Sequence, residues 1–513
     1  MKTLPPTFTS TESSNCTSSS DIWIMRLLYF SFWTTLGCIE PYLSLYYKSV
    51  MDLDGSRIGW LSAIFSFMTF LSAPLWGILT DRIPNCEFVV VYCCFFCSLL
   101  AQLSVSSSSI LQHQNNNWSM PIAVCITAIF RSPMRPLIDS MVLSNLKANT
   151  KKTSSYGRLR LFATMGFGFG SYLVGFVMKH HHHNIKNNNS TNSSNSTFSS
   201  SSLLFFSNDN NNFLNELDTN ELPFILHALV SVPAFFCILN FHRMHRRRKQ
   251  QVQHNCSSSS SKKIEMEQNI DNDNDSTNER TTTVATTTSL KQHQQWEQII
   301  MFIRQPKVYG FFTLVSMIGM STGAVETFCS VQLQEAGLST STIGNLRLLS
   351  SCTSIPMYWY SGKIQKHIFR NQAQPILILT LFSFGIRFLL YALTTTTNTP
   401  NAILLCAIIA ESLRGFIFAL FMSTAVVHTN HLAPPELSAT ALMLLGAINV
   451  GLGRSMGSML IGKLISLLGT ISSSFICFAA IDFTLAILAI VITSYKDANY
   501  YGKKSNRSKM KSE

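Results

Sequence analysis

Apolar stretches long enough to cross a membrane alternate with short polar stretches along most of the chain. A helix needs about 20 residues to cross the hydrocarbon core of a bilayer. Continuous stretches of this length indicate helices, because a backbone in lipid must satisfy its hydrogen bonds within the segment. The pattern predicts twelve transmembrane helices, at residues 22–47, 57–79, 87–110, 118–146, 158–178, 221–241, 308–333, 342–362, 373–393, 400–428, 436–463 and 467–494.

Two polar segments interrupt this pattern and set the expected domain organisation. Residues 179–220 are rich in Asn, Ser and His, and residues 242–305 are too polar to form a packed core. The second segment divides the spans six and six, so we expect an all-α membrane protein with two six-helix halves. The expected domains are an N-terminal tail, a first half, a disordered cytoplasmic linker, a second half and a basic tail, at 1–21, 22–241, 242–305, 306–495 and 496–513. N-glycosylation sequons in the first polar segment begin at Asn188, Asn189, Asn192 and Asn195, although such triplets also arise by chance in an Asn/Ser tract.

The distribution of Lys and Arg predicts the orientation, because cytoplasmic loops carry an excess of these residues. The segment near 147–160, the start of the linker, the loop after the eighth span and the C-terminal tail are basic, and all lie on one side of a twelve-span arrangement. The opposite loops, near 111–117, 335–341 and 394–399, contain no Lys or Arg. Both termini are therefore expected on the cytoplasmic side. Residues 1–21 lack the apolar core of a cleaved signal peptide, so the first span is expected to direct insertion.

Composition narrows the classes of function. Only 13% of the residues are charged, against about 25% in soluble proteins. The net charge of +13 would suggest nucleic-acid binding in a soluble chain, but here the basic residues lie mostly between the spans, so no nucleic-acid partner is expected. The 13 Cys show no spacing typical of a disulfide framework or a zinc site. Because no nucleophile–base pair or metal cluster stands out, neither an enzyme nor a cofactor is expected.

The fourth span carries charges that lipid would not accept. In a helix, Arg131, Arg135 and Asp139 are four residues apart and share one face. Inserting three central charges costs about 8–10 kcal/mol, whereas the apolar residues of 118–146 return only about 3–6 kcal/mol. The charged face is therefore expected to look into a protein interior or a water-filled cavity, which indicates a polar path through the membrane.

Acidic residues inside other spans are candidates for proton coupling, although about half of such residues are expected to form structural ion pairs between helices. Glu326 follows Gly319 and Gly323 on one helical face, where backbones can approach closely. A carboxyl group removed from water binds a proton more readily, so Glu326 is the first candidate proton carrier. Glu40 is the second candidate. Because Glu40 precedes Pro41 toward the end of its span, a position that merely faces water is the alternative.

Basic residues inside the spans outnumber the acidic ones, which favours an anionic or strongly hydrogen-bonding solute. Arg387 and Glu411 are an expected pair in the second half. The intramembrane bases are Arg131, Arg135, Arg347, Arg387, Arg414 and Arg454, and the acids are Glu40, Asp139, Glu326 and Glu411. Small-residue faces for tight helix crossings are expected at Gly166, Gly168, Gly170, Gly175, Gly446, Gly451, Gly453 and Gly457.

Several short motifs resemble those of a known family. Gly77-Ile-Leu-Thr-Asp81-Arg82 resembles the G-x-L-x-D-R loop of major facilitators, which links helices at the cytoplasmic face and steadies one conformational state. Together with Ala73-Pro-Leu-Trp-Gly77, Tyr156-Gly-Arg-Leu-Arg160 and Ala433-Pro-Pro-Glu436, it resembles the MFS_1-like family, which is related to lactose permease-type and nucleoside/proton symporters. The resemblance implies two six-helix halves with the solute site between them near the midplane.

The lactose permease-type pattern implies roles for individual residues. There, a fourth-span Glu pairs with the second Arg of G-R-x-R, and a Trp seven positions later stacks on the sugar. Here Asp139, Arg160 and Phe167 occupy these positions, so the carboxylate is on a shorter side chain and Phe replaces Trp. Two carboxylates of the pattern are replaced, by Ser354 in the eighth span and by Ile417 in the tenth. Lactose is therefore not expected, and coupling must use other groups. The expected solute-binding residues are Arg131, Arg135, Asp139, Arg160, Phe167, Arg387, Glu411 and Arg414, and the expected conformational loop is formed by Gly77, Asp81 and Arg82.

These observations predict a secondary active transporter. The expected activity is proton-coupled symport of a small polar organic solute, sugar- or nucleoside-like, by a monomer embedded in membrane lipid. A uniporter or an anion-selective carrier is the alternative within transport. A receptor or scaffold that keeps the fold without transport is the alternative outside it, and the replacements at Ser354 and Ile417 are the reason to consider it.

Overall fold

The protein is a bundle of long helices. The computed structural model describes residues 19–82, 87–112, 118–147, 155–191, 221–267, 304–369, 372–397, 399–433 and 438–509, and these ranges contain no strand. The helices are α1 (Ser19–Ser49), α2 (Gly55–Arg82), α3 (Glu87–Gln112), α4 (Ser119–Arg131), α5 (Met134–Lys147), α6 (Ser155–Thr191), α7 (Leu222–Glu267), α8 (Pro306–Glu335), α9 (Thr340–His367), α10 (Gln374–Thr396), α11 (Pro400–Leu432), α12 (Ser438–Gly446), α13 (Arg454–Leu468) and α14 (Ile471–Lys509).

The twelve-helix prediction is confirmed, because every predicted span coincides with one helix or with two consecutive ones. Within the described ranges, ten helices are long and apolar enough to cross a membrane. The other two spans are α9, which is rich in polar residues, and the fourth span, which is divided into α4 and α5. Both spans carry polar or charged side chains. Their low hydropathy is therefore consistent with a position inside the protein.

Two helices extend beyond the predicted ends of their spans. Helix α6 continues to Thr191, and α7 continues to Glu267, into the segment 242–305 that was expected to be disordered from its start. The sequence prediction ended each span where apolar residues stop, but a helix can continue into water with a polar sequence. Residues 192–220 and 268–303 of the two polar segments lie outside the described residues.

The fourth span is not the single continuous helix that the sequence predicted. Helix α4 ends at Arg131 and α5 begins at Met134. Pro133 has no backbone N–H to bond the carbonyl of Ile129, four residues earlier. The indole Nε1 of Trp76 in α2 donates to that carbonyl instead, at 2.9 Å. Ser132 keeps helical dihedral angles, φ −57° and ψ −43°, so the chain direction persists across the interruption.

The eleventh span is also interrupted, by a π-helix at Ala447–Gly453 between α12 and α13. The side chain of Asn449 in this segment donates to the carbonyl of Val315 in α8, at 3.2 Å. Short π-helical segments inside α-helices occur frequently at functional sites. Arg454, one of the intramembrane bases, follows the π-helix directly.

The glycines of α6 allow two tight crossings on different faces of this helix. Gly166 and Gly170 pack against backbone carbonyl groups of α1. Gly168 and Gly175 pack against Ser351 and Ser341 of α9, in the other half of the protein. In each case an added Cβ would overlap the neighbouring helix or press against it, so the expected small-residue faces of α6 are confirmed.

A third tight crossing joins α8 to the eleventh span. Gly319 and Gly323 of α8 pack against the backbone of Asn449, Gly453 and Arg454. The predicted close packing of Gly451, Gly453 and Gly457 is confirmed. Among the described residues, no atom lies within 4 Å of a Cβ added at Gly446, so the prediction for Gly446 is wrong. Gly446 ends α12 just before the π-helix, where the face of the helix changes.

The conformational-loop motif lies at the end of α2. Gly77, Asp81 and Arg82 are helical, but their side-chain surroundings fall outside what the structure describes. The expected role of these residues therefore stays a prediction, as do glycosylation in the first polar segment and the orientation of the termini.

Candidate functional site

The first half contributes an ion-pair cluster built on Glu40 of α1. Arg131, at the end of α4, donates to Glu40 Oε1 at 2.6 Å, and Arg135, in the first turn of α5, donates to the same oxygen at 2.5 Å. The side chains are only partly buried, with Glu40 27% exposed and Arg135 34% exposed. Glu40 is therefore an interior anchor for the two fourth-span arginines and does not simply face bulk water at the end of its span.

The second half contributes a larger cluster built on Glu326 of α8. Arg414 of α11 donates to Glu326 Oε1 at 2.7 Å through Nε, and Arg347 of α9 donates to Oε2 at 3.1 Å. Arg387 of α10 approaches Oε1 at 3.6 Å. The position of Glu326 in α8 is therefore surrounded by three other helices of the same half, each of which supplies one guanidinium group.

Glu411 lies deeper in the same cluster. Its Oε1 accepts a hydrogen bond from Tyr391 Oη at 2.7 Å and lies 3.3 Å from Arg347 Nη1. Arg387, the partner predicted for Glu411, instead contacts Glu326 and lies 3.5 Å from Tyr391 Oη. The predicted pair is thus joined through Tyr391. This part of the cluster is closed to solvent, because Arg347, Arg387 and Glu411 are at most 2% exposed.

The residues expected to bind a sugar ring are Asp139 on α5 and Arg160 and Phe167 on α6. Asp139 of α5 accepts a hydrogen bond from Tyr29 Oη of α1 at 2.5 Å. Arg160 of α6 and Asp139 both lie within electrostatic range of Tyr358 of α9. The guanidinium carbon of Arg414 is 6.0 Å from the centre of the Phe167 ring. The aromatic ring that was expected to stack on a sugar therefore faces an arginine of the second half.

Arg454 occupies a distinctive position in the site. It lies within electrostatic range of both Glu40 and Glu326, on the helix that packs against Gly323. Its guanidinium group forms no hydrogen bond or ion pair with the residues that the structure describes. The group is therefore a positive charge placed between two clusters without a protein anion of its own.

Sequence reasoning named the charged residues of the spans but missed some of their partners. Tyr391 was not identified, although it lies four residues after Arg387 and therefore on the same face of α10. Arg347 and Arg454 were recognised as intramembrane bases without a binding role. Asp482, a fully buried acid in α14 that is hydrogen-bonded to Ser321, was missed altogether. Its position as a single acidic residue among the apolar residues of the last span was the sequence feature that could have identified it.

The arrangement can bind and release charge between two halves of the molecule. Each half places a cluster of guanidinium and carboxylate groups inside the bundle, and the side chains of Glu326 and Arg414 keep 19% and 20% of their surface accessible. Partly exposed ion pairs can exchange partners with a solute or a proton, whereas fully closed ones cannot do so without helix movement. Among the described residues, no group of His, Cys, Asp and Glu could hold a metal ion.

Curated proteins similar to this chain are membrane transporters. Maltose permease from Geobacillus stearothermophilus is 24% identical over 157 residues, which cover 31% of this chain and 37% of that protein. Uncharacterized transporter YwbF from Bacillus subtilis (strain 168) is 27% identical over 139 residues, which cover 27% of this chain and 32% of that protein. The similarity thus spans about a third of the length of each relative.

Solved structures with the same architecture are also transporters. The crystal structure of nucleoside transporter NupG superposes with a TM-score of 0.62 and 14% identity, covering 92% of this chain and 99% of that one. A POT family transporter in complex with a thioalcohol conjugated peptide superposes with a TM-score of 0.59 and 11% identity, covering 93% and 96%. At sequence identities of 14% and 11%, these superpositions show that the chain shares the fold of these transporters.

The family assignment rests on nearly the whole chain. Residues 22–477 match the model of the MFS_1 like family, from the first span into the twelfth. This range includes both ion-pair clusters and the helices that carry them. The chain therefore belongs to the MFS_1 like family, as a multi-pass integral membrane protein with the architecture of a major facilitator transporter.

Proposed function

We propose that the protein is a secondary active transporter that moves a small polar organic solute by alternating access. The observation that supports this most directly is the pair of partly exposed charge clusters, one on Glu40 in the first half and one on Glu326 in the second. In the major facilitator arrangement the solute site lies between the halves near the midplane. Both termini are proposed to lie on the cytoplasmic side, because the basic segments share that side.

The proposed coupling group is Glu326, with Glu40 as a second. Three arginines stabilise the ionised form of Glu326 in this state, so a proton can bind only when some of these contacts open. A change in helix packing that moves Arg414 away would expose the carboxylate to a proton, and proton binding would in turn release the arginine for the solute. Proton binding and solute binding would then be linked through the same ion pairs.

The proposed solute-binding residues combine charged groups with an aromatic ring. Asp139, Arg160 and Phe167 offer a carboxylate, a guanidinium group and a ring, which suit a polar ring compound because charged groups fork onto hydroxyls and aromatic faces cover apolar ring faces. Maltose permease and the nucleoside transporter, by their names, carry solutes of this kind. The remaining proposed contacts come from Arg131, Arg135, Arg387, Glu411 and Arg414.

Glu326→Gln tests the coupling role. The variant keeps the size of the side chain but cannot be ionised, so proton-driven uptake into proteoliposomes under an imposed pH gradient should be abolished. Exchange of solute across a membrane without a proton gradient should continue at a reduced rate, because exchange does not require net proton movement. The matched control is Glu335→Gln, at the exposed end of the same helix, and it should leave both activities unchanged.

Equal uptake and equal pH dependence in Glu326→Gln and wild type would remove Glu326 from the mechanism. Because the substitution leaves Arg387 and Arg414 without their carboxylate and Arg347 with Glu411 alone, the variant must also be shown to fold. Retained exchange activity, or an unchanged response of the melting temperature to solute, provides that demonstration.

A receptor or scaffold without transport is the second candidate. The closed contacts of Arg347, Arg387 and Glu411 favour it, because fully buried ion pairs fix the packing of helices. Purified protein that raises its melting temperature with a solute, yet moves that solute under no gradient, would support this candidate over the transporter.

A further inference from the structure

We infer that the solute is a small organic anion, held through its carboxylate or phosphate group by Arg454 with Arg135 and Arg414. This inference rests on the proposed transport function and names the class of solute. It departs from the neutral sugar or nucleoside that the family resemblance suggests. The contacts and charges around the site carry it.

The cluster of the first half is short of negative charge. Glu40 is the carboxylate that Arg131 and Arg135 contact, and both arginines donate to the same oxygen, Oε1. One carboxylate charge therefore serves two guanidinium groups. Arg454 adds a third positive charge within electrostatic range of Glu40.

The cluster of the second half also has fewer negative than positive charges. Glu326 and Glu411 are surrounded by Arg347, Arg387 and Arg414, so this cluster too carries one more positive charge than negative. The described carboxylates of the two clusters are Glu40, Glu326 and Glu411, and each already lies within ion-pair distance of at least one arginine, so neither cluster has a spare carboxylate for Arg454.

Arg454 is held in place by backbone packing. Gly323 of α8 packs directly on the backbone of Arg454, so the crossing of the two helices fixes where its side chain starts. Its Nε is buried and has no hydrogen-bond partner. A guanidinium group inside a membrane protein that lacks a partner is costly, and such groups face a cavity or a ligand rather than lipid. An anionic solute would supply the missing partner.

Arg135 and Arg414 remain partly accessible, so they could bind the anionic group of the solute together with Arg454. Arg135 is 34% exposed and Arg414 is 20% exposed, whereas Arg347 and Arg387 are closed into the second cluster. A guanidinium group presents paired N–H donors that match a carboxylate or a phosphate oxygen pair. Phe167, in contact with Arg414, could cover an apolar part of the same solute.

Matched pairs of solutes test the inference in proteoliposomes. D-glucuronate is compared with D-glucose, and uridine 5′-monophosphate with uridine, by uptake and by the shift of the melting temperature of purified protein. We expect the charged member of at least one pair to be taken up and to raise the melting temperature, since a ligand of the folded state stabilises it. The two charged probes separate a carboxylate from a phosphate as the preferred group.

Arg454→Gln tests the residue that carries the argument. The half-saturating concentration of the anionic probe should rise about tenfold, as expected for the loss of one charge-assisted contact. The control is Arg57→Gln, at the exposed start of α2 and away from both clusters, and it should bind the probe like wild type.

Preference for the neutral member of both pairs, with Arg454→Gln unchanged, would overturn the inference and leave the transporter proposal standing. Equal stabilisation by chloride at the same ionic strength would also overturn it, because the effect would then be one of charge screening alone. Binding of the anion without uptake under any gradient would support the inference and contradict transport. If no probe binds or moves, both proposals fail.

Discussion

At the scale of single residues, the sequence identified which charges enter the membrane but not which of them meet. Glu40, Arg131 and Glu326 were all recognised from their positions in apolar spans. Their partners lie far along the chain, as with Glu40 and Arg131, which are 91 residues apart. Spacing of four residues places two side chains on one face of a helix, but it cannot show what that face contacts. The contacts depend on how the helices pack, which a single sequence does not record.

Asp482 is a residue whose state follows from its hydrogen bonds. It is fully buried, and Ser321 Oγ lies 2.6 Å from its Oδ1 and 3.1 Å from the carbonyl of Met317. A serine hydroxyl has one proton and cannot donate to both acceptors. If Asp482 is protonated, it donates to Ser321, and Ser321 then donates to Met317. Because no ion pair with a base is present among the described residues, we infer that Asp482 is neutral.

Substitutions at Asp482 and Ser321 should therefore have unequal effects. Asp482→Asn keeps a neutral group of the same shape that can donate to Ser321, so its free energy of unfolding should stay within about 1 kcal/mol of wild type. Ser321→Ala leaves a buried carboxyl group without a partner and should cost about 1–3 kcal/mol. Melting temperatures of the purified variants in detergent measure the difference. An Asp482→Asn variant that is the less stable of the two would show that the carboxylate is ionised.

At the scale of helices, the spans were predictable and their interruptions were not. The length of an apolar stretch is a local property, so the twelve spans could be found from the sequence. Proline alone does not predict an interruption, because Pro41, Pro74, Pro233 and Pro356 all lie inside continuous helices. The interruption at Pro133 is tolerated since Trp76 of another helix satisfies the carbonyl that proline leaves free. That donor comes from tertiary structure.

Trp76→Phe tests this account of the divided fourth span. The variant removes the indole N–H but keeps an aromatic ring, and the carbonyl of Ile129 keeps only the longer contact from Ser132 Oγ, at 3.2 Å. We expect a loss of about 1 kcal/mol in the free energy of unfolding, together with weaker binding of solute, because Arg131 and Arg135 flank the interruption. The control is Trp60→Phe on the same helix, where the side chain is 44% exposed. Equal melting temperatures and solute affinities in the two variants would contradict the assigned role of Trp76.

At the scale of the whole molecule, the two halves were predicted from the linker, but the contacts between their helices were not. Glycine and serine residues at one end of four helices bring the halves together. Gly59 at the start of α2 packs against Ser458 and Gly462 of α13, and Gly175 near the end of the membrane part of α6 packs against Ser341 of α9. Sequence analysis read the glycines of α6 and of the eleventh span as crossing points without knowing their partners. In the structure these two crossings lie at the same end of the bundle and join the two halves.

Gly59→Val tests whether this end opens and closes during transport. An added Cβ would lie 2.5 Å from the carbonyl oxygen of Ser458 and 2.7 Å from Gly462 Cα, so a valine cannot be accommodated with the halves in contact. The bulky side chain should therefore favour the state in which this end is open. A cysteine introduced at Ser341, in a background without exposed native cysteines, should then react faster with a maleimide reagent. The control is Gly310→Val, because Gly310 has no neighbouring atom within 4 Å of an added Cβ. Labelling that is equally slow in both variants, with solute uptake intact, would mean that this end stays closed throughout the cycle and that the movement of the two halves must be sought elsewhere.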